Sequence, residues 1–130
     1  MRFMTMVKSR EDCGAAPQSL MDAMAVASVD AMRNGTLVAT GGLAPTAMSK
    51  RVRLAAGRVS VIDGPFAEAK EVVGGYAILE APSQEAALGQ AVWLMDLHRE
   101  HWPGWEGEVE VRQIFGPEDF PRPAAGVAAT

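Results

Sequence analysis

Glu71-Val72-Val73-Gly74-Gly75-Tyr76-Ala77-Ile78-Leu79-Glu80 reads as one long strand, with a Gly-Gly pair that marks a bulge or a close backbone approach. Successive strand residues point to opposite faces of a sheet. The neighbours Val72 and Val73, and again Ile78 and Leu79, therefore put branched aliphatic side chains on both faces, as do Leu37-Val38 and Val61-Ile62. Two helices on an antiparallel sheet of this size cover one face only, and the other face ordinarily turns polar. Several aliphatic side chains on that open face exceed what a soluble monomer leaves exposed. The pattern predicts a homodimer through the sheet face, since two-fold pairs are the commonest soluble assemblies.

Outward from this strand the elements fall in a definite order. Phe3 to Val7 is a strand with two largely apolar faces. Pro17 opens a helix spanning residues 17–34, striped by Leu20, Met24, Ala27 and Ala31 and stopped by Asn34-Gly35. Its additional Met21, Val26, Val29 and Met32 predict a deeply buried helix. Thr36 to Thr40 is a short strand ended by Gly41-Gly42. Arg51 to Leu54 and Val59 to Ile62 alternate as a hairpin around Ala56-Gly57, broken by Asp63-Gly64-Pro65. Ser83 is placed to cap a second helix with a core stripe of Leu88, Ala91, Val92 and Met95. Glu108 to Phe115 is the last strand, with Val109, Val111 and Gln113 on one face.

The order is strand, helix, strand, hairpin, strand, helix, strand. It is the split βαβ arrangement of an α+β, ferredoxin-like fold with an extra hairpin and an antiparallel sheet. Two sheets facing each other give a dimeric α/β-barrel-type assembly. Residues 1–116 form the domain, and 117–130, rich in Pro, Ala and Gly, read as a mobile C-terminal tail.

Composition limits the function classes. The 130 residues carry 12 Lys+Arg against 16 Asp+Glu, a formal charge of -4, which is no basic footprint for nucleic acid. A mass of 13.8 kDa buries about two-thirds of the extended-chain surface without a metal or disulfide staple. Cys13 is the single cysteine, so nothing calls for an oxidising compartment. The most apolar long stretch, Leu20 to Met32, is broken by Asp22, Ser28 and Asp30 and is no membrane span. A cytoplasmic protein without membrane partner is the expectation.

The most distinctive block is Asp63-Gly64-Pro65-Phe66-Ala67-Glu68-Ala69-Lys70-Glu71, running into Val72-Val73-Gly74-Gly75-Tyr76. With Gly42-Leu43 and Pro45 after the second strand, Val52-Arg53 in the hairpin and Glu110-Val111-Arg112 at the end, it closely resembles the YCII-related family, in the branch named after the Asp-Gly-Pro-Phe motif. The resemblance covers nearly all of residues 1–115 and implies a ferredoxin-like fold and dimerisation through the sheet. Some members of that branch resemble accessory proteins encoded beside extracytoplasmic-function sigma factors. Relatives in the wider family resemble lyases that use a His–Asp pair, the His lying in the first helix. Here the acid is present as Asp63, and residues 17–34 contain no histidine.

Several side chains are candidates for chemistry. Asp63 before Gly-Pro serves either as a turn acid that bonds nearby backbone N–H groups or as a general base at a cleft edge. Arg53 and Arg112 alternate with apolar neighbours on strands, and such an arginine fork holds a carboxylate or phosphate at two points or pairs with an acid of the dimer. His98 and His101 are three apart on the second helix and share a face, so either can stand in as the proton shuttle that the first helix lacks. Phe66 and Trp102 supply apolar walls. His-Arg-Glu-His is not the HExxH order, and no Cys or His elsewhere completes a site, so neither metal nor cofactor is expected. Two readings follow: a pocket near the dimer interface that binds, and by acid/base chemistry transforms, a small anionic or hydroxylated molecule; or a non-catalytic interaction module linked to sigma-factor-type regulation.

Overall fold

A computed structural model describes residues 1–121. In chain order it contains β1 (Arg2–Ser9), α1 (Gln18–Arg33), β2 (Leu37–Gly42), β3 (Lys50–Ala55), β4 (Arg58–Asp63), β5 (Val72–Glu80), α2 (Gln84–His101) and β6 (Gly107–Ile114). Four strands form one antiparallel sheet in the order β2-β5-β1-β6, the ferredoxin-like arrangement, while β3 and β4 pair only with each other. The extra hairpin is therefore an insertion between the second and third strands of the sheet.

The register assigns each side chain to a face. Phe3, Thr5 and Val7 of β1 stand opposite Leu79, Ala77 and Gly75 of β5, and opposite Gln113, Val111 and Val109 of β6. This is the helix side, because Phe3 (1% exposed) packs with Ala81, Ala87 and Val111. Met4 and Met6 stand opposite Ile78 and Tyr76, with Arg112 and Glu110 across β6, and form the open side. Branched residues on both faces of β5 are thus accounted for: Leu79 is buried beneath the helices, and Ile78 lies on the uncovered face. The Gly-Gly interruption is a bulge, since Val7 pairs with Gly75 while Lys8 pairs with Val73.

Helix ends follow the local chemistry. Ser83 caps α2, its hydroxyl accepting from the Ala86 N–H at 3.2 Å. Gly35 adopts φ +81° behind Asn34, whose side chain accepts from the Thr36 N–H at 2.9 Å, so α1 stops where the sequence says.

Three expectations are corrected. α1 is not deeply buried: only the Leu20 stripe faces inward, and Val26, Val29 and Met32 are half or more exposed. A helix lying on a sheet hides one stripe, and among the described residues nothing covers its far side. The core stripe of α2 is Ala87, Ala91 and His98, whereas Leu88 and Val92 point outward, because small residues let the helix lie close to the sheet. β2 runs through Gly41-Gly42 instead of ending there. A Cβ at Gly41 would sit 3.0 Å from the Tyr76 ring, so glycine keeps the strand in pairing range. The expected tail opens with a 3-10 turn over Pro117–Asp119, its Asp119 carboxylate accepting from the Gly116 N–H; residues 122–130 lie outside the described residues. Among the described residues, no helix is long and apolar enough to cross a membrane.

Candidate functional site

The hairpin leaves and rejoins the sheet at one end, where the Leu43 N–H donates to the Gly74 carbonyl at 2.9 Å. Two loops run side by side there, residues 43–49 before β3 and 64–71 after β4. Thr46 joins them. Its N–H and its hydroxyl both donate to the Glu11 carboxylate, at 2.6 and 2.5 Å, and its Oγ accepts from the Phe66 N–H at 3.3 Å. These bonds hold the Glu11 carboxyl below its ordinary value, the Thr46 hydroxyl being the larger cause. The Gly64 N–H donates to the Ser49 carbonyl at 2.9 Å. A Cβ at Gly64 would fall inside the Thr46 carbonyl oxygen, so the Asp-Gly-Pro-Phe turn requires glycine for close approach. The Gly64–Pro65 peptide is cis.

Phe66 is the anchor of the second loop and is 8% exposed. The Arg51 guanidinium lies 3.8 Å from its ring centroid, a cation–π contact, and also pairs with Glu68. The backbone N–H of Glu68 first, and Arg51 second, hold that carboxyl below its usual range. Beside this stack lies an open groove of about 440 Å³. Its polar wall is Thr46, Ser49, Arg51 and Glu71, and its apolar floor is Leu43, Phe66, Val72 and Val73.

Of the residues singled out in the sequence, Phe66 lines this groove. Asp63 stands at the hairpin base, exposed, with Lys50 Nζ at 2.5 Å. It shares a hairpin face with Val61 and Val52, opposite to the face that carries Arg51. Arg53 is on the Arg51 face, two residues farther out, where its charge helps keep Glu68 ionised. Arg112 lies on the open side of β6, exposed, with its Nε 3.9 Å from Glu110.

The histidines occupy the other edge of the same sheet end. His98 is 5% exposed, places Nδ1 2.8 Å from the Leu94 carbonyl and lies 4.6 Å from the Trp105 ring. That carbonyl can only accept, so Nδ1 carries the proton. His101 is half-buried on the last turn of α2. Trp102 stacks on Trp105 at 5.8 Å and lines a second hollow of about 330 Å³ with Met95 and Arg99. The fold thus brings His98 and Trp102 together but keeps both from Asp63, with β1 and β5 lying between β6 and the hairpin's root. Among the described residues, no three His, Cys, Asp or Glu side chains converge on a metal position.

Glu11, Thr46, Ser49 and Arg51 were not legible as a group. Glu11 and Thr46 are 35 residues apart, and no local pattern links them. The signal for Arg51 was present: it alternates with Val52 as Arg53 does, and only its nearer position to the loops sets it apart.

Comparison with known proteins follows the same geography. An uncharacterized protein of Rhizobium meliloti (strain 1021) is similar to this chain, 32% identical over 87 residues that cover 67% of the chain and 68% of the relative. The YCII-related domain matches residues 1–92, a span that takes in β1 to β5, both groove loops and the first half of α2. With the hairpin insertion, both groove loops and every strand but β6 inside a match that spans well over half of its length, the chain belongs to the YCII-related domain family.

Proposed function

We propose that this protein binds a small hydroxylated molecule bearing an anionic group in the groove beside Phe66, and does so as a homodimer joined through its open sheet face. Its Asp63-Gly64-Pro65-Phe66 turn supports placing it in the branch of the family marked by that motif. The observation that carries the reading is the hydrogen-bond inventory of the groove. Arg51 has five N–H donors and spends one nitrogen on Glu68, so a planar fork remains for a carboxylate or phosphate. The Glu71 carboxylate accepts from hydroxyls, and the Phe66, Val72 and Val73 floor takes a carbon skeleton. Thr46 is committed to Glu11 and Phe66 and shapes the wall.

The dimer rests on Met4, Met6, Tyr76, Ile78 and Val38, which the chain's own helices leave uncovered. Lys8, held by Glu110 at 3.2 Å and Glu108 at 3.6 Å, borders that patch with charge along β6.

Thermal shift of the full chain against a panel of small hydroxycarboxylates and sugar phosphates tests the binding. A hit lost in Arg51→Met and weakened in Arg51→Lys, which keeps the charge but not the fork, supports it. Asp63→Asn and Arg112→Met are expected to leave the hit intact. No hit, or a hit untouched by Arg51→Met, overturns it. The non-catalytic interaction module draws on a different observation, the exposed aliphatic face of the β3–β4 hairpin. An empty panel together with a monomer in solution favours that reading.

A further inference from the structure

We infer that the hollow between the last turn of α2 and the turn into β6 is a second binding site, which takes a small organic cation of the alkylammonium type. Met95, Arg99, Trp102, Trp105 and Glu106 line it around a volume of about 330 Å³, within the range of small-molecule sites. Its aromatic wall is built in advance. The Trp105 ring lies 4.6 Å from the His98 ring and 5.8 Å from that of Trp102, with the two indole planes 28° apart. A Cβ at Gly107 would collide with the Trp105 ring, so glycine lets that indole seat on the start of β6. The Trp102 N–H donates to the His98 carbonyl at 2.7 Å, and the Trp105 N–H to the Trp102 carbonyl at 3.1 Å, so backbone bonds set where both rings stand. A wall fixed before binding loses little freedom when a ligand arrives.

Three observations select a cation. Indole faces are the best side-chain partners for cation–π contacts. The hollow also lies at the C-terminus of an 18-residue helix, the negative end of its dipole. Of the last four carbonyls of α2, only that of His98 accepts from a backbone N–H among the described residues. The third observation is charge. Residues 93–110 carry five carboxylates (Asp96, Glu100, Glu106, Glu108 and Glu110) against one arginine, Arg99. Arg99 is met by Asp96 at 2.8 Å, and Glu108 and Glu110 share Lys8. Glu106, on the wall of the hollow, has no Lys or Arg at ion-pair distance among the described residues. A carboxylate beside two indoles, with the Met95 thioether next to them, offers charge and polarisable surface to an ammonium group at one place.

The site stands apart from the groove beside Phe66 and from dimerisation, so its test is separate. Calorimetry and tryptophan emission of the full chain are followed on titration with choline and with its neutral tert-butyl analogue, in which carbon replaces the nitrogen. Choline is expected to bind at least about fivefold more tightly than the neutral analogue and to shift the emission. Trp102→Leu is expected to weaken choline roughly tenfold, and Trp102→Phe, which keeps a poorer aromatic face and serves where leucine disturbs the fold, by less. Glu106→Gln should weaken it about threefold, while Arg99→Gln, which removes a like charge from the rim, should tighten it about twofold. Co-sedimentation with phosphatidylcholine vesicles that Trp102→Leu abolishes would name a lipid headgroup as the source of the cation; its absence beside a choline hit leaves a free small molecule. No saturable binding of choline in the millimolar range overturns the inference, as does equal affinity for the neutral analogue. Weaker binding in Arg99→Gln would mark an anion site, and choline binding untouched by Trp102→Leu would put the cation elsewhere; either result overturns it.

Discussion

The four-stranded body and the 43–71 excursion are built from the same kinds of residue and held by different forces. In the body, Phe3, Leu20, Leu79 and Ala87 are nearly inaccessible, and polar groups are satisfied by strand ladders and a capped helix. In the excursion only Phe66 is buried, and the loops are tied by side-chain and backbone bonds that converge on Thr46. The body is stabilised by apolar burial, which tolerates change at its rim. The excursion is positioned by a few directional contacts, each of which can be removed singly. The difference teaches how the candidate groove is held: it sits on the part that does not carry the core.

Substitutions should separate the two regions, and the largest effect belongs to the body. Phe3→Ala removes the largest fully buried side chain and is expected to cost about 3–5 kcal/mol, seen as a lower denaturant midpoint for the whole domain. Gly64→Ala forces the two loops apart and should cost about 1–3 kcal/mol while abolishing groove binding. A variant that still binds would show that the loop approach is not needed. Thr46→Val deletes the acceptor for the Phe66 N–H and one donor to Glu11, and about 1 kcal/mol of stability should go with weakened binding. The smallest effect is a pH dependence. The Glu11 carboxyl is depressed in the folded state, so its contribution is fully present above its ordinary value of 4.5 and is lost as pH falls through the lower folded value. Glu11→Gln should flatten that acid limb, and an unchanged limb would exclude Glu11 as its source.

Much of the body was legible because its signals are local. Adjacent aliphatics in β5, the Ser83 cap and the Asn34-Gly35 stop each act within a few residues, and each appears in the fold where its chemistry requires. Burial was less legible. Val26 and Val92 are apolar at helical spacing yet face outward, because α1 turns its Leu20 stripe inward and α2 lays its small Ala87 and Ala91 against the sheet. The candidate site was the least legible part. Its polar wall joins residues from the β2–β3 loop, β3 and the loop after β4, with Glu11 from β1's exit holding Thr46 from behind, and only the finished topology makes Glu11 and Thr46 neighbours.

The placement of the tryptophans has a practical corollary. Trp93, Trp102 and Trp105, all three indoles of the chain, ride on α2 or its exit, with the last two stacked, whereas the groove holds only a phenyl ring. Intrinsic emission and near-ultraviolet dichroism will therefore report on the docking of one helix and stay dark to whatever the groove takes up. An optical assay of occupancy calls for a fluorophore placed on the 43–49 loop.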